Sequence, residues 1–91
     1  MGKAIVDPSE LRRFAGHLKQ FNGELRDRLG GLHGHMLALS DTWRDQEHEK
    51  FVRDFEQTVA ALEAFLENSD QHIPTLLRKA ERIEEYLHHK S

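Results

Sequence analysis

The sequence predicts an all-α fold: an antiparallel hairpin of two long helices, at about residues 8–40 and 46–88, dimerising into a four-helix bundle. Three observations carry this expectation. Val52, Phe55, Val59, Leu62, Leu66, Ser69, Ile73, Leu76, Ala80, Ile83 and Leu87 keep an unbroken three–four spacing. All but Ser69 are apolar, which is the stripe of one amphipathic helix. A matching run lies upstream: Leu11, Phe14, Leu18, Phe21, Leu25, Leu29, Leu32, Met36 and Leu39. Between the runs sits one short polar break, Ser40 to Asp45, holding the only tryptophan, Trp43.

The first helix has a marked start. Asp7 suits the N-cap, Pro8 the first helical position, and Glu10 the far side of a capping box. Val6 and Leu11 are spaced as a hydrophobic staple. The stretch Gly30-Gly31-Leu32-His33-Gly34 is the weak region, since each interior glycine costs about 1 kcal/mol against alanine. Leu25, Leu29, Leu32, Met36 and Leu39 nevertheless hold one face through it, so one helix, bent there, is expected. Gly16, Gly23 and Gly30 also recur every seven residues. They are either an accident of a solvent face or a small-residue stripe where another helix approaches closely.

Either Thr42 or Asp45 can cap the second helix, and Glu47 and Glu49 suit its positive end. Pro74 removes the bond to residue 70 and predicts a kink. The apolar phase continues through Ile73, Leu76, Ala80 and Ile83, as in a kinked helix; a full break would fall at Asn68-Ser69-Asp70. At ~1.5 Å per residue the helices measure about 50 and 65 Å. The longer one overhangs Asp7 with Ile83, Tyr86 and Leu87. Its apolar face is too broad for one neighbour, because Phe51, Phe65 and Leu77 lie beside the stripe. The first helix adds Ala15, Leu29 and Met36 on a flank. Two helices enclose no core, so these flanks call for a homodimer, or a heterodimer with a similar hairpin. The expected packing surface sets Phe51, Phe55, Leu62, Phe65 and Leu66 against Leu11, Leu18, Phe21, Leu25 and Leu32, with Ile83 and Tyr86 near the end.

A chain of 91 residues makes one small domain, residues 1–91, with a limited core. Net charge is −3, with acidic and basic residues mixed along the helices. No basic block points to nucleic acid or an anionic membrane. No apolar stretch approaches the ~20 residues of a membrane span. There is no cysteine, hence no disulfide framework and no thiolate ligand or nucleophile. Met1 to Val6 lack the apolar core of a signal peptide. The expected location is cytoplasmic at synthesis, and any secretion would not use the general signal-peptide route.

Seven histidines invite a search for metal. Glu85-x-x-His88 has the spacing of carboxylate-bridged di-metal bundles, but both residues point largely outward near a frayed end. His35 falls near the apolar face of its helix, where a histidine is more often hydrogen-bonded structure than a ligand. A metal-binding bundle is the alternative reading; no metal or cofactor is expected. Ser9, Ser40, Ser69 and Ser91 lie beside no evident base and orienter. Glu24/Arg28 and Glu49/Arg53 are spaced as supportive pairs, Glu81/Glu85 as a repulsive one. No catalytic residue emerges, and the chain reads as a non-enzymatic interaction protein.

Trp43-Arg44-Asp45 at the turn, Phe51 and Phe55 after it, Asp7-Pro8-Ser9-Glu10-Leu11 at the start and Ala80-Glu81-Arg82-Ile83 near the end resemble the WXG family of type VII secretion. The resemblance implies a small non-enzymatic hairpin, pairing with itself or a similar chain, with secretion machinery or toxin cargo as further partners. It also implies a substrate or partner-chaperone role. Two residues depart from the family pattern. Asp45 stands where the family has glycine. The family export signal sets an acidic residue four after a tyrosine, whereas Tyr86 is followed at that distance by Lys90. The chain would then travel with a partner that carries the signal, or stay behind. Trp43 reads either as a cap on the bundle end or as an exposed indole beside a partner's export signal. An adaptor bundle unrelated to secretion is the remaining alternative.

Overall fold

The computed structural model describes residues 6–90, with Lys90 described by its backbone alone. Met1 to Ile5, most of the segment read for a leader, and Ser91, one of the four serines considered, lie outside the described residues. Two helices make the fold, α1 (Pro8–Leu39) and α2 (Gln46–Lys90). Asp7 caps α1: its Oδ1 accepts from the Ser9 N–H at 2.9 Å and the Ser9 hydroxyl at 2.8 Å. The cap is built with Ser9 rather than as a reciprocal box with Glu10. The Ser9 hydroxyl first, then its N–H, holds the Asp7 carboxyl below its ordinary value. α1 passes through Gly30, Gly31 and Gly34 unbroken, and no described glycine has a positive φ.

Asp45, not Thr42, caps α2. Its carboxylate accepts from the His48 N–H at 2.9 Å, and its carbonyl from the Glu49 N–H at 3.2 Å. The Thr42 hydroxyl turns back to the Leu39 carbonyl at 3.4 Å. Pro74 lies inside an α2 that runs unbroken to Lys90. The alternative of a break at Asn68-Ser69-Asp70 is thereby excluded. Ser69 and Asp70 instead hold the two helices together.

The register of the hairpin is set by a polar contact in the seam. Asn22 Oδ1 accepts from the Ser69 hydroxyl at 3.1 Å, and Asn22 Nδ2 donates to Asp70 Oδ1 at 2.9 Å. Counting 14 residues outward from Asn22 and from Ser69 reaches Pro8 and Ile83. Ile83 therefore sits half-buried at the rim, and Tyr86 and Leu87 project past the first turn of α1. The molecule is a rod of 69 × 24 × 17 Å, about two helix diameters at its wider cross-section. Its radius of gyration is 20.5 Å, where a compact domain of this length has about 12 Å.

The α2 stripe lies where its periodicity put it: from Val52 to Ile83 every member is at least half-buried, and only Leu87 is exposed. The α1 stripe needs correction. Ala15, expected on a flank, faces α2 together with Asn22, and so do Leu29 and Met36, which the reading set both in the stripe and on its flank. Phe14, Phe21, Leu32 and Leu39, expected in the stripe, are exposed. The residues closest to α2 follow the positions Leu11, Ala15, Leu18, Asn22, Leu25 and Leu29. One of these is polar and one small, so ranking by apolarity shifted the seam toward the phenylalanines.

Candidate functional site: an open apolar face and the tryptophan turn

The two long faces of the hairpin differ. On one, ion pairs cross the seam. Arg12 meets Glu84 through two hydrogen bonds, Nε at 2.9 Å and Nη2 at 2.7 Å. Arg26 donates to Asp70 at 2.5 Å, and His33 lies 3.1 Å from Glu56. Arg12, Arg26 and His33 differ by multiples of seven residues, as do Glu56, Asp70 and Glu84, so each set shares one side of its helix. The hydrogen bond from Arg26 and then that from Asn22 keep the Asp70 carboxyl below its ordinary value. Arg12 does the same for Glu84 and is itself pushed upward. All four ionic groups are solvent-exposed, so these pairs are modest in energy. Of the supportive pairs expected along the helices, Glu24–Arg28 and Glu49–Arg53 do not close. Glu24 accepts from Gln20 instead, and Lys50–Asp54 closes at 3.0 Å.

The opposite face is open and apolar. Phe14 is 55% exposed, Phe21 50% and Phe65 49%. Phe14, Leu18, Phe65, Ser69, His72 and Leu76 line a groove of about 350 Å³ along it. Phe21, Leu32 and Leu39 follow Phe14 at spacings near whole turns and continue its stripe to the end of α1. Exposed surface totals 7258 Å², against about 5,500 Å² for a compact monomer of this mass. Exposed apolar strips are the kind of surface on which proteins dock partners.

At the turn, Trp43 packs edge-on against His48 at 5.1 Å and against Phe51 at 5.8 Å; Phe51 continues to Phe55 at 5.8 Å. His33 stacks on Phe55 at 6.4 Å, so the aromatic chain crosses from α2 back to α1. The Ser40 hydroxyl lies 2.8 Å from His48 Nε2, and Arg44 Nε donates to the Ser40 carbonyl at 3.2 Å. Trp43 is half-buried on its own chain, as in the capping reading. Asp45 answers for the missing glycine. No described residue of the turn has a positive φ, and the position is an N-cap, where Asp serves better than Gly.

Of the residues expected at the packing surface, Leu11, Leu18, Leu25, Phe55, Leu62, Leu66 and Ile83 lie in or beside the hairpin seam. Phe21, Leu32, Phe51, Phe65 and Tyr86 are exposed. The sequence reading missed Asn22. Asn22 had a signal: Ser69 is the one polar member of the α2 stripe and needs a polar neighbour opposite. His35, expected near the apolar face, is exposed, and so are Glu85 and His88. Among the described residues no three His, Asp or Glu side chains converge as a metal site. No described helix is long and apolar enough to cross a membrane.

The sequence matches the WXG100 family, described as proteins of 100 residues with WXG, over residues 4–86. No curated protein matches it. Among solved structures, the secreted protein EsxB from Bacillus anthracis str. Sterne, selenomethionine-labelled, is similar at 26% identity. Its TM-score is 0.78, with 94% of this chain and 98% of that chain covered. A single-site variant of the same protein gives 26% identity and a TM-score of 0.79 over 94% and 96% of the two chains. Its wild-type form in another crystal setting gives 26% and 0.78 over 92% and 97%. The two-helix hairpin, the tryptophan at its turn and a family match spanning nearly the whole sequence agree, and the chain belongs to the WXG100 family.

Proposed function

We propose that this chain is a non-enzymatic, hairpin-pairing protein of type VII secretion, a substrate or the partner-chaperone of one, synthesised in the cytoplasm and moved without a signal peptide. The observation that carries this reading is the open face of Phe14, Phe21 and Phe65, which two helices leave uncovered. Burying a phenylalanine side chain is worth about 1.5–3 kcal/mol, so a helical hairpin laid on that face would gain a four-helix core. Similarity to a secreted protein supports the export part of the reading. The basic residue four after Tyr86 favours travel beside a chain that supplies the export signal. Secretion machinery or a toxin cargo would then be met at the ends of the paired bundle, where Trp43 and the Tyr86 overhang lie.

The test is export. The chain, tagged, is expressed in cells that carry a type VII system and in cells lacking its membrane ATPase. The expected result is chain in the medium of the first culture only. Equal amounts in both media, or none in either with every candidate partner hairpin co-expressed, would overturn the reading.

A further inference from the structure

We propose that Asn22-Gly23 is a self-modification site: the closed hairpin shields it, an opened chain reacts there with water, and the product cannot rebuild the seam. This goes beyond the secretion reading and does not depend on it. An asparagine followed by glycine is the arrangement most open to attack by the backbone on the side-chain amide. Glycine brings no β-carbon to obstruct the incoming nitrogen, and its backbone turns freely. A β-carbon on Gly23 would meet nothing within 4 Å, so the packing of the hairpin does not require glycine there. Asn68, the other asparagine of the chain, precedes Ser69 and serves as an internal comparison.

The reaction is a hydrolysis in two steps. The Gly23 backbone nitrogen gives its proton to hydroxide and attacks Asn22 Cγ. An N–Cγ bond forms, the Cγ–Nδ2 bond breaks, and the amide nitrogen leaves as ammonia, taking a proton from water. Water then opens the five-membered imide. Cleavage of the new N–Cγ bond gives aspartate; cleavage of the original backbone C–N bond gives isoaspartate, whose main chain runs through Cγ. One amide and one water are consumed, and a carboxylate and ammonium remain.

The closed hairpin opposes each step. Gly23 is interior to α1, so its N–H donates into the helix ladder. Asn22 is 1% exposed, which keeps hydroxide and water away. Its side chain is held at both ends, Oδ1 by the Ser69 hydroxyl at 3.1 Å and Nδ2 by Asp70 Oδ1 at 2.9 Å. That second bond makes the change one-way for the fold. With Nδ2 replaced by oxygen, a carboxylate meets the Asp70 carboxylate where a donor stood, and two like charges sharing a site oppose one another. Arg26 already serves Asp70. Isoaspartate also lengthens the α1 main chain by one atom and breaks its hydrogen-bond register.

The full chain is aged in mildly alkaline buffer, once folded and once in guanidinium chloride above its unfolding midpoint. Peptide mapping by mass spectrometry reads the amide-to-acid shift at Asn22 and at Asn68. In the denatured chain Asn22 is expected to react ahead of Asn68, and Gly23→Ala to slow it roughly tenfold. In the folded chain Asn22 is expected to react more than about a hundredfold more slowly, because a folded chain is open for less than about one part in a thousand of the time. Returned to native buffer, chains with a reacted Asn22 are expected to unfold at lower guanidinium than unreacted ones, as is Asn22→Asp. Equal rates at Asn22 in the folded and denatured chain, or an undiminished rate in Gly23→Ala, would overturn the proposal. So would a reacted chain that regains the wild-type midpoint. The export test is untouched by any of these results.

Discussion

Replacing Asn22 by alanine probes the contact that sets the hairpin register. Asn22 is 1% exposed; it accepts from Ser69 and donates to Asp70. Asn22→Ala removes both bonds. The Asp70 carboxylate is half-exposed and keeps Arg26, so that loss is worth about 1 kcal/mol. The Ser69 hydroxyl is buried and is left without its acceptor, costing about 1–3 kcal/mol more. The total is about 2–4 kcal/mol, a large part of the stability of a small domain. Ser69→Ala strands one lone-pair oxygen of Asn22 and should cost about 1–2 kcal/mol. The double variant Asn22→Ala/Ser69→Ala leaves neither group unsatisfied, so it should fall short of the sum of the singles by about 1 kcal/mol or more. Urea unfolding followed by far-UV circular dichroism, at one fixed chain concentration, measures all three. An Asn22→Ala loss under about 0.5 kcal/mol, or strict additivity, would refute the assignment of Asn22 as the polar lock of the seam.

Asp45→Ala should cost about 1 kcal/mol and Asp45→Gly only a few tenths in the same urea assay, because glycine is an adequate N-cap and alanine is not; equal losses would contradict the capping role. Alanine at Gly16, Gly23 or Gly30 meets open space and should stabilise the chain by about 0.4–1 kcal/mol each, read as a higher melting temperature; weaker association instead would identify the glycine stripe as a helix contact. The carboxyls of Asp70 and Glu84 are held below their ordinary values of 3.8 and 4.5 in the folded chain. Their contribution is therefore complete above those ordinary values and is lost as pH falls through the lower folded ones. Asp70→Asn with Glu84→Gln should flatten the acid side of a stability–pH curve, and an unchanged acid limb would show that the cross-helix pairs contribute nothing.

Much of the fold is written in local patterns. The start of α1 follows from Asp7-Pro8, and the α2 stripe is read correctly across Pro74 because Ile73 and Leu76 hold the same phase. The α1 seam is less legible. Its closest contacts to α2 include Ala15 and Asn22, a small residue and a polar one, while its most apolar side chains, Phe14 and Phe21, turn outward. Hydrophobicity ranks side chains by their preference for burial and says nothing of which partner buries them. In a hairpin that leaves one apolar face uncovered, the two answers differ. The turn shows the complementary case. Asp45 departs from the family glycine, yet Asp and Gly both serve at an N-cap, so the structure absorbs a change that the motif alone marks as a defect. The polar ladder of Arg12, Arg26 and His33 against Glu84, Asp70 and Glu56 was present in the sequence at spacings that are multiples of seven residues. It becomes readable only once the antiparallel register is known, because each pair joins residues 23 or more apart in the chain.

The pairing face is tested most directly by the mass in solution of the wild type and of Phe65→Asp. Phe65 is half-exposed on the isolated hairpin, so a charge there should leave the two helices formed; within a paired bundle it would be buried without a partner. Sedimentation equilibrium should give the wild type near twice the 10.6 kDa chain mass and the helical variant near the single-chain mass. The same mass for both proteins, with helicity retained, would contradict an interface on the Phe14–Phe65 face.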